Sequence, residues 1–194
     1  MKTVTVCVKN QAEADLLIPE VLEVTADLRV CVVGPMEGPV DLTDIDYCAF
    51  MRQHGIPDAG VHPYDPQIRY DVLRGHMKGP DDVGLPHLDW VLCFGGGKPV
   101  HPDWVRSLRD QCVAAGVPFA FLGWGDWVPN GQGVDVSHYS VEEIWLSRDG
   151  DYRYWLNSQC EDTPLRVVMN RVGCDRSGHS LDGEVWDQRP ESRA

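Results

Sequence analysis

Two hydrophobic periods take turns along this chain. Thr3 to Val8 sets Val4, Val6 and Val8 against Thr3, Thr5 and Cys7, the two-residue alternation of a strand. Ala14, Leu17, Ile18, Val21 and Leu22 then recur at helical spacing, with Asn10 in the N-cap place and Glu13 reinforcing the first turn. Pro19 falls inside that pattern, lacks an amide donor, and predicts two short helical segments in place of one. Leu28 to Val33 is a second apolar strand, followed by a glycine- and proline-rich loop. The strongest stretch is Leu88 to Trp127. There Leu88 to Phe94 reads as a strand buried on both faces, and Gly95, Gly96 and Gly97 form a turn. Pro102 and Asp103 suit a helix start, and Trp104, Val105, Leu108, Cys112 and Ala115 make an apolar stripe with Arg106, Arg109 and Asp110 facing away. Gly116 and Pro118 stop the helix before a second apolar strand, Val117 to Leu122.

The sum is a single α/β domain over residues 1–194 with about four parallel βα strands, at 3–8, 28–33, 89–94 and 117–122. Glu142 to Ser147 and Tyr152 to Asn157 flank an Asp-Gly turn and predict a hairpin over 142–157; Leu165 to Met169 reads as a last short strand. Between Thr43 and His87 the pattern weakens into a long irregular insertion holding His54, His62, His76 and His87, where Phe50, Met51, Ile68, Tyr70, Val72 and Leu73 would pack one or two short helices. The charged tail over 188–194 is expected to fray.

Composition narrows the function classes. At 194 residues with 43% apolar content the chain can bury a sizeable core. No apolar run approaches the ~20 residues of a membrane span, and the N-terminus lacks the apolar block of a signal peptide, so a cytoplasmic protein without a membrane partner is expected. Seven scattered cysteines without a C-x-x-C pair read as reduced, buried thiols. A net charge of −13 argues against direct contact with nucleic-acid backbones and favours a basic partner or mimicry of nucleic acid.

Candidate chemistry is sparse. Gly95, Gly96, Gly97 and Lys98 precede a helix and form a candidate ligand loop that would hold a phosphate through backbone N–H groups. Pro99 occupies the Ser/Thr place of a Walker motif, so a plain βα turn competes with that reading. His101 is a candidate base beside Asp103, against the alternative of a capping histidine. Cys160, Cys174 and His179 are candidate metal ligands whose spacing matches no standard zinc pattern, and no metal is expected. Trp124, Trp127, Trp155 and Trp186 read as core, because the acidic charge opposes a base-stacking platform.

The stretch LDWVLCFGGGKPVHPDWVRSLRDQCVAAGVPFAFLGWGDW resembles the C-terminal half of the phage gp thirty-seven/sixty-eight-like family, itself similar to radical S-adenosylmethionine enzymes. KNQAEADLLIPEVLEVTADLRVCVVGPMEGPVDL (Lys9 to Leu42) and MNRVGCDRSGHSLDGEVWDQRP (Met169 to Pro190) agree with it in the same order. The resemblance implies the second half of a (β/α) barrel. It also implies that the N-terminal half bearing the cluster loop is missing, and no close cysteine set in this chain would replace it. The chain departs from the family where polar groups are expected. Gly34-Pro35 stands for a glutamate and proline, and Gly95-Gly96-Gly97-Lys98 for a longer loop with an arginine. Leu122-Gly123 stands for a lysine-glutamine pair, and Cys174-Asp175 for a basic pair.

The resemblance therefore implies a phage-encoded, catalytically inactive scaffold that acts by protein–protein interaction, in the cytoplasm of the infected cell or on the virion. A protein partner or homo-oligomer is expected, with no cofactor of its own. The alternatives are one half of a split radical enzyme, possessing an iron–sulfur cluster and S-adenosylmethionine only through a partner chain, and an acidic mimic of nucleic acid.

Overall fold

A computed structural model describes residues 1–47, 69–78, 86–137, 142–154 and 166–191. Strands β1 (Thr3–Val8), β2 (Leu28–Val33), β6 (Trp90–Phe94) and β7 (Phe119–Gly123) form one all-parallel sheet in the order β1-β2-β6-β7. Helix α1 (Gln11–Glu23) connects β1 to β2, and α2 (Pro102–Ala115) connects β6 to β7. The expected parallel strands are thus present, the first two with the predicted ends.

Register shows how unequally the two faces of this sheet are buried. Val6, Cys31, Val91 and Phe119 are aligned across the strands, with Val8, Val33, Cys93 and Phe121 in the next row. Both rows belong to the main core, together with Ala14, Ile18 and Leu22 of α1 and Trp104, Val105, Leu108 and Cys112 of α2. Residues one step along point to the other side. There Thr3, Thr5 and Cys7 are exposed, Val32, Trp90, Leu92 and Phe94 are half-buried, and Leu122 is 56% exposed. This corrects the expectation that the central strands are buried on both faces. A continuous apolar run shows that a strand is buried somewhere, and does not say whether one helix layer or two covers it.

Helix α1 corrects a second expectation, since it is continuous through Pro19. Asn10 Oδ1 accepts from the Glu13 amide at 3.0 Å, and the Glu13 carboxylate accepts from the Lys9 amide at 3.0 Å, a reciprocal cap. Ala14, Ile18, Pro19, Val21 and Leu22 are buried. With each buried apolar side chain worth roughly 1.5–3 kcal/mol, burial outweighs the ~3 kcal/mol penalty of one internal proline.

In the weakly patterned region Tyr70, Val72 and Leu73, expected in short helices, lie instead in a strand and the turn after it. Among its described residues, β3 (Ile45–Asp46), β4 (Arg69–Asp71) and β5 (His76–Lys78) form an antiparallel sheet, and Tyr70, Val72 and Leu73 enter the main core. Phe50, Met51, Ile68, His54 and His62 lie outside the described residues. The predicted hairpin is β9 (Glu142–Ser147) with β10 (Tyr152–Tyr154), turning through Gly150 at φ 90°. It belongs to a second sheet, β10-β9-β11-β8, with β8 (Trp127–Pro129) and β11 (Arg166–Arg171). The strand expected at 165–169 is not the last, because the short pair β12 (Ser180–Leu181) and β13 (Glu184–Val185) follows.

The expected fraying at Gln188 is also corrected. Its amide donates to the Phe119 carbonyl at 3.1 Å, its side-chain oxygen accepts from the Phe119 amide at 3.0 Å, and its carbonyl accepts from Trp90 Nε1 at 2.9 Å. Trp124 and Trp127 are core residues, as expected, and Trp186 packs edge-on against Phe119.

Cys31, Cys93 and Cys112 are buried, and burial pushes all three thiols up, Cys112 to about 12. Cys7 and Cys174 are exposed, which corrects the expectation of buried thiols at those two positions. Iodoacetamide labelling followed by peptide mapping should therefore modify Cys7 and Cys174 in the native protein, and reach Cys31, Cys93 and Cys112 only in denaturant. Native labelling of Cys31 or Cys93 at the rate of Cys7 would contradict the fold.

Candidate functional site

In parallel α/β sheets the loops after the carboxyl ends of the strands carry the sites. Here those loops are tied to one another by their backbones. The Gly34 amide donates to the Val8 carbonyl at 2.8 Å, the Met36 amide to Phe94 at 3.1 Å, and the Glu37 amide to Lys9 at 2.9 Å. The Gly95 amide donates to Gly123 at 2.9 Å, and the Asp126 amide donates to Gly96 at 2.9 Å.

The glycines make this approach possible. A Cβ on Gly34 would come within 2.6 Å of the Phe94 ring, and one on Gly96 within 2.6 Å of Pro35. A Cβ on Gly95 would overlap the Trp124 carbonyl. The candidate ligand loop is therefore first a packing device. The Gly95 N–H is already given to Gly123, while the Gly97 carbonyl accepts from Trp127 Nε1 at 3.1 Å. Lys98 extends into solvent and its Nζ lies 3.1 Å from the Glu37 carboxylate, so its charge bridges two loops. His101 is the N-cap of α2: it is 2% exposed and its Nδ1 accepts from the Asp103 amide at 3.2 Å. Capping, the alternative weighed for this residue, is what the geometry gives.

Beside this rim is a cavity of about 450 Å³. Phe94 and Leu122 supply apolar walls, Gly95, Gly123, Gly125 and Gly178 bring backbone to its surface, and Cys174, Asp175, Ser177 and His179 supply the polar groups. Apolar walls with a few polar groups are the composition of a small-ligand pocket. The loop that carries the polar residues hangs on Asp126, whose carbonyl accepts from the Val172 and Gly173 amides at 2.9 and 3.0 Å. Cys174 and His179 are thus brought to the cavity that Gly95 also lines, while Cys160 lies outside the described residues. Among the described residues no cluster of three or more His, Cys, Asp or Glu is placed to hold a metal ion. A larger depression of about 1060 Å³ lies at the opposite end of the sheet, around Leu28, Trp90 and Pro118.

The strongest electrostatic feature was missed by sequence reading. Arg106 and Arg109, placed on the polar face of α2, reach across to Asp182. Arg106 Nη2 and Nε bond Asp182 at 2.6 and 2.9 Å, and Arg109 Nη1 lies 3.5 Å from it. Gln132 adds a donor at 3.2 Å and accepts from the Asp182 amide at 2.7 Å. These donors, Arg106 foremost, hold the Asp182 carboxyl down at about 2. Asp182 sits at φ 56° in the β12–β13 turn, so the ion pairs pin the C-terminal segment onto α2. An arginine on a solvent face is not by itself a signal. The Asp-Gly pair of Leu181-Asp182-Gly183-Glu184, a turn signal, is the local clue that the sequence carries.

The chain belongs to the family described as "Protein of unknown function (DUF5131)", whose model matches residues 3–190. No curated protein and no solved structure matches it.

Gly95→Ala should destabilise the fold by about 2–4 kcal/mol in urea titrations, because backbone has to move to admit the methyl group. Gly38→Ala, whose Cβ would meet only Asn10 Cβ at 3.7 Å, should stay within about 1 kcal/mol of the parent. Equal stability of the two variants would remove the packing role of the glycine run. Because the folded carboxyl of Asp182 is depressed, its contribution is complete above pH ~4 and disappears as pH falls toward 2. Asp182→Asn should flatten that part of the stability–pH curve measured by thermal melts.

Proposed function

We propose that this DUF5131-family chain is a phage-encoded, catalytically inactive scaffold that acts through protein–protein contact, as a virion component, a host-factor antagonist or a subunit of a larger complex. The observation that carries the reading is the sheet face turned away from α1 and α2. There Val32, Leu92 and Phe94 are only half-buried, and Leu122 is 56% exposed. Val30 and Ala120 on that face are buried, but the apolar side chains left open beside them cost free energy in water at roughly 25 cal/mol per Å² uncovered, and exposed apolar patches mark interaction sites. The sequential parallel order β1-β2-β6-β7 supports describing this sheet as half of a (β/α) barrel, whose inward face a partner would cover.

The rim supports the inactive part of the reading. Lys98 is paired with Glu37, His101 caps a helix, and the glycines pack against backbone. Each candidate reactive group of the loop has a structural task. On this reading an iron–sulfur cluster and S-adenosylmethionine would enter only with a second chain.

Tagged protein purified from phage-infected cells should carry a stoichiometric, iron-free protein partner, identified by mass spectrometry. Leu122→Asp, at an exposed position, should fold normally and recover that partner at least tenfold less. A stoichiometric partner with clustered cysteines and bound iron would replace this reading with the split enzyme, and recovery of the chain alone would end it.

A further inference from the structure

Where the chain leaves the carboxyl ends of two neighbouring parallel strands, the crevice between them is the usual place for a ligand. The recess of about 450 Å³ lies at such a place, bounded by the ends of β6 and β7 and by the loop that carries Cys174 to His179. Its volume falls in the ~300–1,000 Å³ range of small-molecule sites. Two of its walls are apolar surface that the fold leaves uncovered: Phe94 is half-buried and Leu122 is 56% exposed. The polar wall is tied to the strands by backbone. The Gly178 carbonyl accepts from the Trp124 amide at 3.3 Å, and a Cβ on Gly123 would stand 3.0 Å from that same oxygen. The recess is therefore formed before any ligand arrives, which lowers the ordering cost of binding.

The groups on its walls select a charge. Among the described residues Asp175 is the one carboxylate that lines the recess, and no lysine or arginine does. Arg176, next in the chain, and Lys98, paired with Glu37 across the rim, both lie outside the lining. The Cys174 thiol donates to Asp175 Oδ1 at 3.7 Å, a long contact that a charged N–H donor would replace with a shorter and stronger bond. Ser177 is buried with its hydroxyl on the Cys174 carbonyl at 3.3 Å, so it shapes the loop. An anion entering here would meet Asp175 with like charge, in a chain of net charge −13.

We propose that this recess binds a small organic amine with an aromatic or branched apolar body, its ammonium group on Asp175 and its body against Phe94 and Leu122. Covering those two side chains supplies most of the affinity, because burial of apolar surface is the larger favourable contribution. The single carboxylate, being exposed, supplies selectivity more than strength. The site is complete within this chain and needs no partner, so it stands apart from the interaction reading above.

The test titrates the full chain with three probes of one shape, phenethylamine, phenylethanol and phenylacetate, and follows the backbone amides by NMR at pH ~8, above the ordinary histidine range. Phenethylamine should shift the amides of Gly95, Gly123 and Gly178 saturably and bind about threefold or more tighter than phenylethanol, the scale of one exposed ion pair. Phenylacetate should leave those amides unmoved. Asp175→Asn, at an exposed position, should erase the preference for the amine and keep the binding of phenylethanol. Cys174→Trp, which fills the recess from an exposed position, should abolish both, and Asp149→Asn in the β9–β10 turn should change neither. Equal affinity for amine and alcohol, tighter binding of phenylacetate, or an amine preference that survives Asp175→Asn overturns the proposal. Shifts confined to amides elsewhere, or no saturable shift with any probe, overturn the site itself. Should Cys174→Trp fail to fold, Asp175→Asn decides alone. Partner recovery from infected cells tests the interaction reading separately and is untouched by these outcomes.

Discussion

Backbone-to-backbone contact at the carboxyl ends of the strands is the constraint on which the rest of this molecule depends. The four strand-end loops are linked by amide–carbonyl bonds of 2.8–3.1 Å, and at Gly95 the approach leaves no room for a single methyl group. Gly125, at φ 79°, completes the arrangement from the other side, since a Cβ there would overlap Gly96. Sites in parallel α/β proteins need room for ligand at this rim. Here much of the rim is filled by the chain itself, and what space is left has moved outward, to the recess between Leu122 and the loop carrying Cys174 to His179.

The same economy explains the two unlike faces of the sheet. Helices α1 and α2 both cover the side bearing Val6, Cys31, Val91 and Phe119, which is where right-handed crossovers place them. Nothing in a βα repeat covers the other side; a closed barrel would cover it by curvature and a doubly wound sheet by further helices. In this chain Ala120 and Val30 on that side are buried, while Leu92 and Phe94 are half open and Leu122 protrudes at the point where β7 departs from register with β6. The bulge is the local reason for the exposure, since the extra residue has no partner strand position to share.

What was legible in the sequence, and what was not, follows the range of the signal. Period-two alternation placed Thr3–Val8, and turn chemistry placed the Asp-Gly hairpin and the Gly116 stop, because each depends on neighbours a few residues away. Pro19 misled because the local penalty is visible and the compensating burial of Ile18 and Val21 is not. Gln188 misled for the same reason: a charged tail looks loose until Phe119 and Trp90 are beside it. The glycine run was ambiguous between cradling an anion and permitting contact, and only the positions of Trp124 and Pro35 decide between them. Of the candidate site, the sequence supplied Gly95, Cys174 and His179 but not their common cavity, since Leu122 and Phe94 complete it from strands read as core.

Polar groups read as a solvated helix face turn out to help close one edge of the sheet. Arg106 and Asp182 are 76 residues apart in sequence, yet their bonds hold the β12–β13 turn against α2. That turn leads directly into Trp186–Gln188, the segment that closes the β7 edge. Arg109 contributes twice, through Asp182 and through its guanidinium 5.3 Å from the centroid of the Trp186 ring. Partly exposed ion pairs are individually weak, on the order of 1 kcal/mol or less. Several converging on one turn act less as glue than as register, fixing where the chain meets β7. Among the described residues no comparable set of ion pairs stands over β1, which Lys2 and Lys9 flank. The placement of two arginines and one aspartate thus fixes where the C-terminal segment meets the β7 edge.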